Sequence, residues 1–224
     1  GTPSLASPTV ELTGGLILSL ARRIPEQERR LRQGAWQQGA GTGLEGATLS
    51  IAGLGRIGAG VAAIGRAFGM RLLAWSPNMT AAIAEAAGAE LVDKENLFRQ
   101  ADILTLHLGL GPATRGIVGG TELALMRPGA LLVNTARGPL VEQTALIDAL
   151  RDGRLGGVAI DTHEPEPMTG DDPIRLAPNT ILTPHLGYVT QQNFRHYFDG
   201  AVECLRAWNE GACLPRPLNA AAKA

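Results

Sequence analysis

The sequence predicts an α/β fold built on a doubly wound parallel sheet, and three observations carry that expectation. From Ala47 to Thr183, apolar stretches short enough to be buried strands alternate with stretches of helical period. Such alternation implies a parallel sheet covered by helices on both faces. The first of these strands runs directly into Gly53-Leu54-Gly55-Arg56-Ile57-Gly58, a glycine turn that opens a helix. Polar islands then stand where the later strands end, the place where ligands sit in open α/β sheets.

Taken in order, the chain begins with a leading helical segment over residues 8–36. Ser7 followed by Pro8 predicts a helix start, with a capping hydroxyl and a proline whose missing N–H has no partner to lose. Leu12, Leu16, Leu20 and Ile24 recur at four-residue spacing, and Ile17 and Ala21 widen the stripe. So broad a face needs a partner, and packing on the domain or an interdomain or dimer contact would each provide one. Pro25 interrupts the stripe, a more polar helical piece spans Glu26 to Trp36, and Gly39 to Gly43 form a loop.

The core, residues 46–186, follows. After the strand at Ala47, further strands are expected at Arg71 to Ser76, Glu90 to Val92, Ile103 to Leu108, Ala130 to Thr135, Gly157 to Asp161 and Thr180 to Thr183. Helices are expected at Ile57 to Phe68, Thr80 to Ala87, Lys94 to Arg99, Thr121 to Met126 and Pro139 to Arg151, with Ile57, Val61, Ile64 and Phe68 on one face. A C-terminal helix over 190–210 carries Phe194, Phe198, Val202 and Leu205 on one side, and the Pro- and Ala-rich tail from Leu214 to Ala224 reads as loose.

Composition narrows the function classes. The chain has 224 residues, 45% apolar and 18% charged, with a formal net charge of −1. That balance gives no electrostatic reason to expect nucleic acid or an anionic membrane as partner. Cys204 and Cys213 are too few for a disulfide framework, which suits a reducing cytoplasm. The apolar run Leu16 to Leu20 is far below the roughly 20 residues a membrane span requires, and no basic-then-apolar leader opens the sequence. No metal-ligand set is expected.

The glycine turn has a specific chemistry. Gly53 permits the tight turn, Gly55 lets backbone approach a pyrophosphate with no Cβ in the way, and Gly58 lets helix and strand pack closely. The helix start, with Arg56 and Ile57, then faces the phosphates with free N–H groups and a positive dipole end. A Rossmann-type dinucleotide site is the consequence.

The polar islands are Asn134-Thr135-Ala136-Arg137-Gly138, Asp161-Thr162-His163-Glu164-Pro165-Glu166-Pro167, Thr183-Pro184-His185-Leu186-Gly187, and His107 at the end of its strand. With the glycine motif, this set closely resembles the D-isomer-specific 2-hydroxyacid dehydrogenases, from the first helix to about Gly211. The resemblance implies hydride transfer between nicotinamide and C2 of a small D-2-hydroxy or 2-oxo acid. Arg137 matches the family's arginine that holds the carboxylate and polarises the oxo group, a task suited to its fork. His185 matches the acid/base, and a carboxylate beside it would favour the charged imidazole. Glu166 occupies that place in the motif, with Glu164 as the alternative.

Asp161 matches the residue that binds the nicotinamide carboxamide, and His107 and Thr114 match positions lining the cofactor cleft. Thr135, Ala136 and Gly187 fall in the same motifs as cofactor-binding positions. His163 reads as packing or rim and His196 as helix surface.

Two departures from the family pattern bear on function. A carboxylate that binds the ribose 2′-OH of NAD is expected about 20 residues beyond the glycines, yet the strand there ends Ala74-Trp75-Ser76-Pro77-Asn78. Ser76 and Asn78 suit a hydroxyl or a phosphate, so NAD and NADP both stay open. Family members also carry a substrate-binding domain ahead of the first helix, and it is missing from this sequence. The reading is therefore an NAD- or NADP-dependent dehydrogenase acting on a small 2-oxo acid, expected as a homodimer through the long leading helix. Its rival is a dinucleotide-binding regulatory or scaffold protein without turnover.

Overall fold

The computed structural model describes residues 4–217, so the last residues of the tail expected to be loose lie outside the described residues. Seven strands form one parallel sheet: β1 (Thr48–Ala52), β2 (Arg71–Trp75), β3 (Glu90–Leu91), β4 (Ile103–Leu106), β5 (Ala130–Asn134), β6 (Leu155–Ile160) and β7 (Thr180–Leu182). Their order is β3-β2-β1-β4-β5-β6-β7. The chain reverses direction across the sheet between β1 and β4, and a crevice opens there beyond the carboxyl ends. Strands β1, β4 and β5 are buried along their whole length, as their nearly unbroken apolar sequence requires under two helical layers.

One layer holds α5 (Lys94–Arg99), α6 (Gly120–Leu125) and α7 (Gln143–Arg151), with Leu97, Phe98, Leu123, Leu146 and Leu150 in one core. The other holds α1 (Ser7–Ala21), α3 (Arg56–Ala67) and α4 (Ala81–Ala86). Here Leu16, Ile17, Leu20 and Ala21 of α1 are buried with Leu49, Ile51, Val61, Leu131, Val133 and Ala159. The leading helix is thus a core helix lying on β5, β6 and α3. Its apolar stripe is consumed within the chain, which corrects the expectation that this face makes a dimer. Leu12 is partly buried against the same core, and Ile24, beyond the end of α1, is 50% exposed. Small residues permit the approach of the two helices, since a Cβ on Gly60 would stand 2.6 Å from Val10.

Other expectations shift for local reasons. Ser7 sits inside the first turn of α1, and Ala6 precedes it with no side-chain cap. The break after α1 comes from Arg23 in the left-handed region, φ 52°, while Pro25 begins the next helix, α2 (Ile24–Arg32), which ends short of Trp36. Of the expected face of α3, Val61 is buried, with Gly58, Ala62 and Gly65 beside it, whereas Ile57 and Ile64 are partly buried and Phe68 is exposed; a Cβ on Gly65 would lie 2.7 Å from Leu49 and 2.8 Å from Leu72. The single helix expected over Pro139 to Arg151 is divided into a 3-10 turn at Gly138–Leu140 and α7. Val141 is extended between them because it pairs with Val118, whose N–H donates to Leu140 O at 3.0 Å and whose carbonyl accepts from Glu142 N at 2.9 Å.

The last helix, α8 (Gln191–Asn209), turns its apolar side outward: Phe198, Leu205 and Trp208 are 69%, 68% and 65% exposed. Among the described residues no helix is long and apolar enough to cross a membrane.

Candidate active site

The crevice beyond β1 and β4 is a cleft of about 580 Å³, lined among others by Gly55, Arg56, Ile57, Gly58, His107, Thr135, Ala136, Arg137, Asp161, His185 and Gly187. Residues far apart in sequence are gathered there because each strand delivers its loop to the same end of the sheet.

The glycine turn is built for a ligand. Gly53 has φ +98°, and a Cβ there would lie 2.8 Å from the His107 carbonyl, so this position both turns and packs. At Gly58 a Cβ would fall 2.0 Å from Gly53 O, which forces glycine where helix meets strand. At Gly55 a Cβ would meet no protein atom within 4 Å. The space beside Gly55 is open, and no side chain caps the first turn of α3. Free N–H groups at the helix start and an open approach fit a pyrophosphate.

Two turns supply the reactive side chains. Asn134, 1% exposed, closes the first: its Nδ2 donates to Arg137 O at 2.8 Å and its Oδ1 accepts from Ala136 N at 3.1 Å. This brings Arg137 to the cleft with an exposed guanidinium. Asp161 organises the second. Fully buried, its carboxylate accepts from Thr183 Oγ1 at 2.5 Å, Leu186 N at 2.7 Å and Gly187 N at 2.8 Å, while its carbonyl accepts His185 N at 2.7 Å. His185 is thereby held in the left-handed region, φ 55°. The expected carboxamide ligand is first of all the anchor of the His185 turn, and the single bond on Oδ2 leaves that oxygen a lone pair for a ligand.

Glu166 lies against the imidazole, with Oε2 2.8 Å from His185 Nδ1. Its other oxygen accepts His163 N–H at 2.8 Å. Burial alone would raise the Glu166 pKa, but the His163 N–H and the His185 ring outweigh it and hold the carboxyl below its ordinary value. Glu164 faces away and pairs with Arg115 at 2.8 Å. Because Nδ1 meets a carboxylate, Nε2 is the nitrogen left for chemistry. Tyr188 stands edge-on to the imidazole, ring centroids 5.1 Å apart.

His107 accepts or donates one bond, Nε2 to Thr105 Oγ1 at 2.9 Å, and burial lowers its pKa to about 4. It is therefore neutral at physiological pH. Several sequence candidates lie outside the lining. Thr114 donates to Gly109 O at 2.6 Å and accepts from Gly111 N at 2.9 Å, shaping its own loop. Ser76 sits at the end of β2 beyond the lining residues, and His163 Nε2 is bonded to Thr183 O at 2.9 Å. His196 is on the exposed surface of α8. Sequence reasoning missed Asn134 and Thr183 as organisers of the two turns; polar residues at the inner ends of apolar strands were the signal.

Fold and site together define a dinucleotide-binding domain that presents a cation and a carboxylate-backed imidazole over its cofactor cleft. The family model for the D-isomer specific 2-hydroxyacid dehydrogenase, NAD binding domain, matches residues 14–187. A glyoxylate reductase of Aeropyrum pernix is 39% identical over 224 residues, covering 96% of this chain and 67% of that protein. A D-3-phosphoglycerate dehydrogenase of Methanocaldococcus jannaschii is 42% identical over 194 residues, 85% of this chain and 37% of that protein. The crystal structure of D-lactate dehydrogenase from Aquifex aeolicus complexed with NAD and lactic acid superposes with a TM-score of 0.83 at 27% identity, covering 92% of this chain and 67% of that one. The chain belongs to the D-isomer specific 2-hydroxyacid dehydrogenase family of oxidoreductases and carries its NAD-binding domain. It spans about two thirds of the first of these relatives and little more than a third of the second.

Proposed function

We propose that residues 1–224 form the dinucleotide-binding and acid/base part of an enzyme that interconverts a small 2-oxo acid and the corresponding D-2-hydroxy acid. The observation that carries the reading is the His185–Glu166 contact at 2.8 Å, facing the same cleft as Arg137 and the open Gly55 approach. When bound, the nicotinamide cofactor supplies or accepts the hydride at C2. Arg137 holds the substrate carboxylate and polarises the C2 oxygen. His185, with Nδ1 on Glu166, gives the Nε2 proton to that oxygen during reduction and takes it back during oxidation. The ionised Glu166 keeps the ring oriented and stabilises the imidazolium that must precede reduction. Asp161 presents the remaining lone pair of Oδ2 to the carboxamide. One oxo acid, one reduced cofactor and one proton thus become one hydroxy acid and one oxidised cofactor.

Glyoxylate is the first substrate to test, because the relative covered over most of its length is named a glyoxylate reductase. Ser76 at the end of β2 carries no charge to repel a 2′-phosphate, so the reading includes use of either NAD or NADP. The substrate-binding domain is assigned outside these residues, consistent with the share of the relatives that the chain spans. A homodimer is proposed through α2 and the segment that follows it, where Ile24, Leu31 and Trp36 are 50%, 58% and 76% exposed. Cys204 and Cys213, too few for a disulfide framework, suit a cytoplasmic location.

The test is a panel of 2-oxo acids, glyoxylate first, assayed with NADH and NADPH on this chain and on the chain joined to any adjoining coding sequence. Reduction that disappears in Arg137→Ala and His185→Ala supports the reading. Dinucleotide binding with no turnover in either protein would favour the regulatory alternative. Sedimentation at tens of micromolar, above typical specific dissociation constants, reads the dimer; a monomer that Trp36→Glu leaves unchanged would count against it.

A further inference from the structure

Two threonines of α1 reach both reactive turns. Thr9 Oγ1 donates to Gly187 O at 2.7 Å, two residues past His185. Thr13 Oγ1 lies 2.9 Å from Thr135 Oγ1, two residues before Arg137. Thr13 Oγ1 is also 2.7 Å from Thr9 O, its own residue four back. A hydroxyl has one hydrogen to give. Thr13 gives it to the Thr9 carbonyl, so in the buried pair the Thr135 hydroxyl is the donor. Thr13 is 0% and Thr135 6% exposed, so the bond between them is out of reach of bulk water.

The consequence is geometric. Positions i and i+4 lie on one face of a helix, about one 5.4 Å turn apart. From below, the sheet holds the Arg137 turn through Asn134 and the His185 turn through Asp161. From the opposite side, α1 holds both turns at once, and packing of Leu16, Ile17 and Leu20 into the core fixes where α1 stands. We propose that Thr9 and Thr13 are positioning residues, and that this one turn of α1 sets the spacing between the guanidinium of Arg137 and the imidazole of His185. Under the proposed function, a single oxo acid must touch both groups, so the spacing governs how well its carboxylate and C2 oxygen are met together.

The experiment uses the purified chain with labelled arginine and histidine. Side-chain resonances of Arg137 and His185 are followed by NMR, assigned through Arg137→Lys and His185→Gln, in Thr9→Val and Thr13→Val. Thr9→Val is expected to shift or broaden the His185 ring signals, and Thr13→Val those of the Arg137 Nε–H, with Thr9→Ser and Thr13→Ser restoring each. Thr135→Val removes the second bond from its other end and reads the same brace if Thr13→Val does not fold. In the glyoxylate and NADH assay, on the chain joined to the adjoining coding sequence, Thr9→Val and Thr13→Val should each lose about tenfold in kcat/KM, the change expected for one buried hydrogen bond, while NADH affinity stays within about twofold. Folded valine variants with unmoved Arg137 and His185 signals would overturn the proposal, as would serine variants that fail to restore them. Absence of turnover in the unaltered protein, both alone and joined to the adjoining coding sequence, would overturn the enzymatic reading alone, since the NMR outcome does not depend on it.

Discussion

His185 Nδ1 lies 2.8 Å from Glu166 Oε2, and the same carboxylate accepts the His163 N–H through its other oxygen. A carboxyl held below its ordinary value stays ionised until the pH falls beneath that of a free glutamate, about 4.3. The sign follows from its depressed pKa: the stabilisation is complete above the unfolded value and is lost as pH falls through the folded one. Through the range where reduction is assayed, the imidazole therefore faces a negative charge. Glu166→Gln removes that charge while keeping the shape. The pH at which reduction falls off should move to lower values, and the limb of the reverse oxidation should move with it. An unmoved profile, with His185→Ala still inactive, would separate Glu166 from the proton-transfer step.

Gly55 and Gly58 stand three residues apart and should fail in opposite ways. A side chain at Gly55 meets only the open cleft, so Gly55→Val is expected to keep its melting temperature and lose dinucleotide binding. At Gly58 even a methyl group would collide with Gly53 O, so Gly58→Ala should lower the melting temperature itself. Calorimetry with NADH and NADPH, beside thermal melts, distinguishes the two. Retained binding in Gly55→Val would mean that the pyrophosphate lies elsewhere.

Ser76 directly follows β2, where the ribose of a bound dinucleotide would lie. Without a carboxylate the unaltered chain should discriminate weakly between NADH and NADPH. Ser76→Asp adds a bond to the 2′-hydroxyl and a repulsion against the 2′-phosphate, so it should shift the ratio of dissociation constants toward NADH by tenfold or more, on the order of one charged hydrogen bond. A thousandfold preference already present in the unaltered chain would show that another group reads the ribose.

His107 makes stability depend on pH. Its folded pKa of about 4 lies below the value of about 6.5 for a free histidine, so between the two the unfolded chain binds the proton more readily. Stability from this residue is complete above about 6.5. It is lost as pH falls toward about 4. His107→Gln keeps a polar group for Thr105 and removes the titration. Its melting temperature should therefore fall less steeply across that window; parallel curves for the two proteins would assign the acid lability to other groups.

Much of this architecture was legible in the sequence, because its signals are local. Strand and helix periods repeat within a few residues, and a glycine that opens a helix after a buried strand declares its own stereochemistry. The placements of Arg137 and His185 also follow locally, since each stands in a polar island at a strand end and every strand delivers its end to the same crevice. The 3-10 turn before α7 was not legible: Val141 is extended by pairing with Val118, a neighbour across the fold.

The same distinction decides the larger question of what α1 does. Its sequence determined an amphipathic helix with a broad apolar face, and no local pattern singles out the two threonines near that face. Only the tertiary structure decided that the face lies on β5 and β6 and not against a second subunit. Only it brought Thr9 to Gly187, 178 residues away, and Thr13 to Thr135, 122 residues away. An amphipathic pattern specifies that a surface must be buried, but it carries no information on which distant surface receives it; that is settled by the packing of the whole sheet.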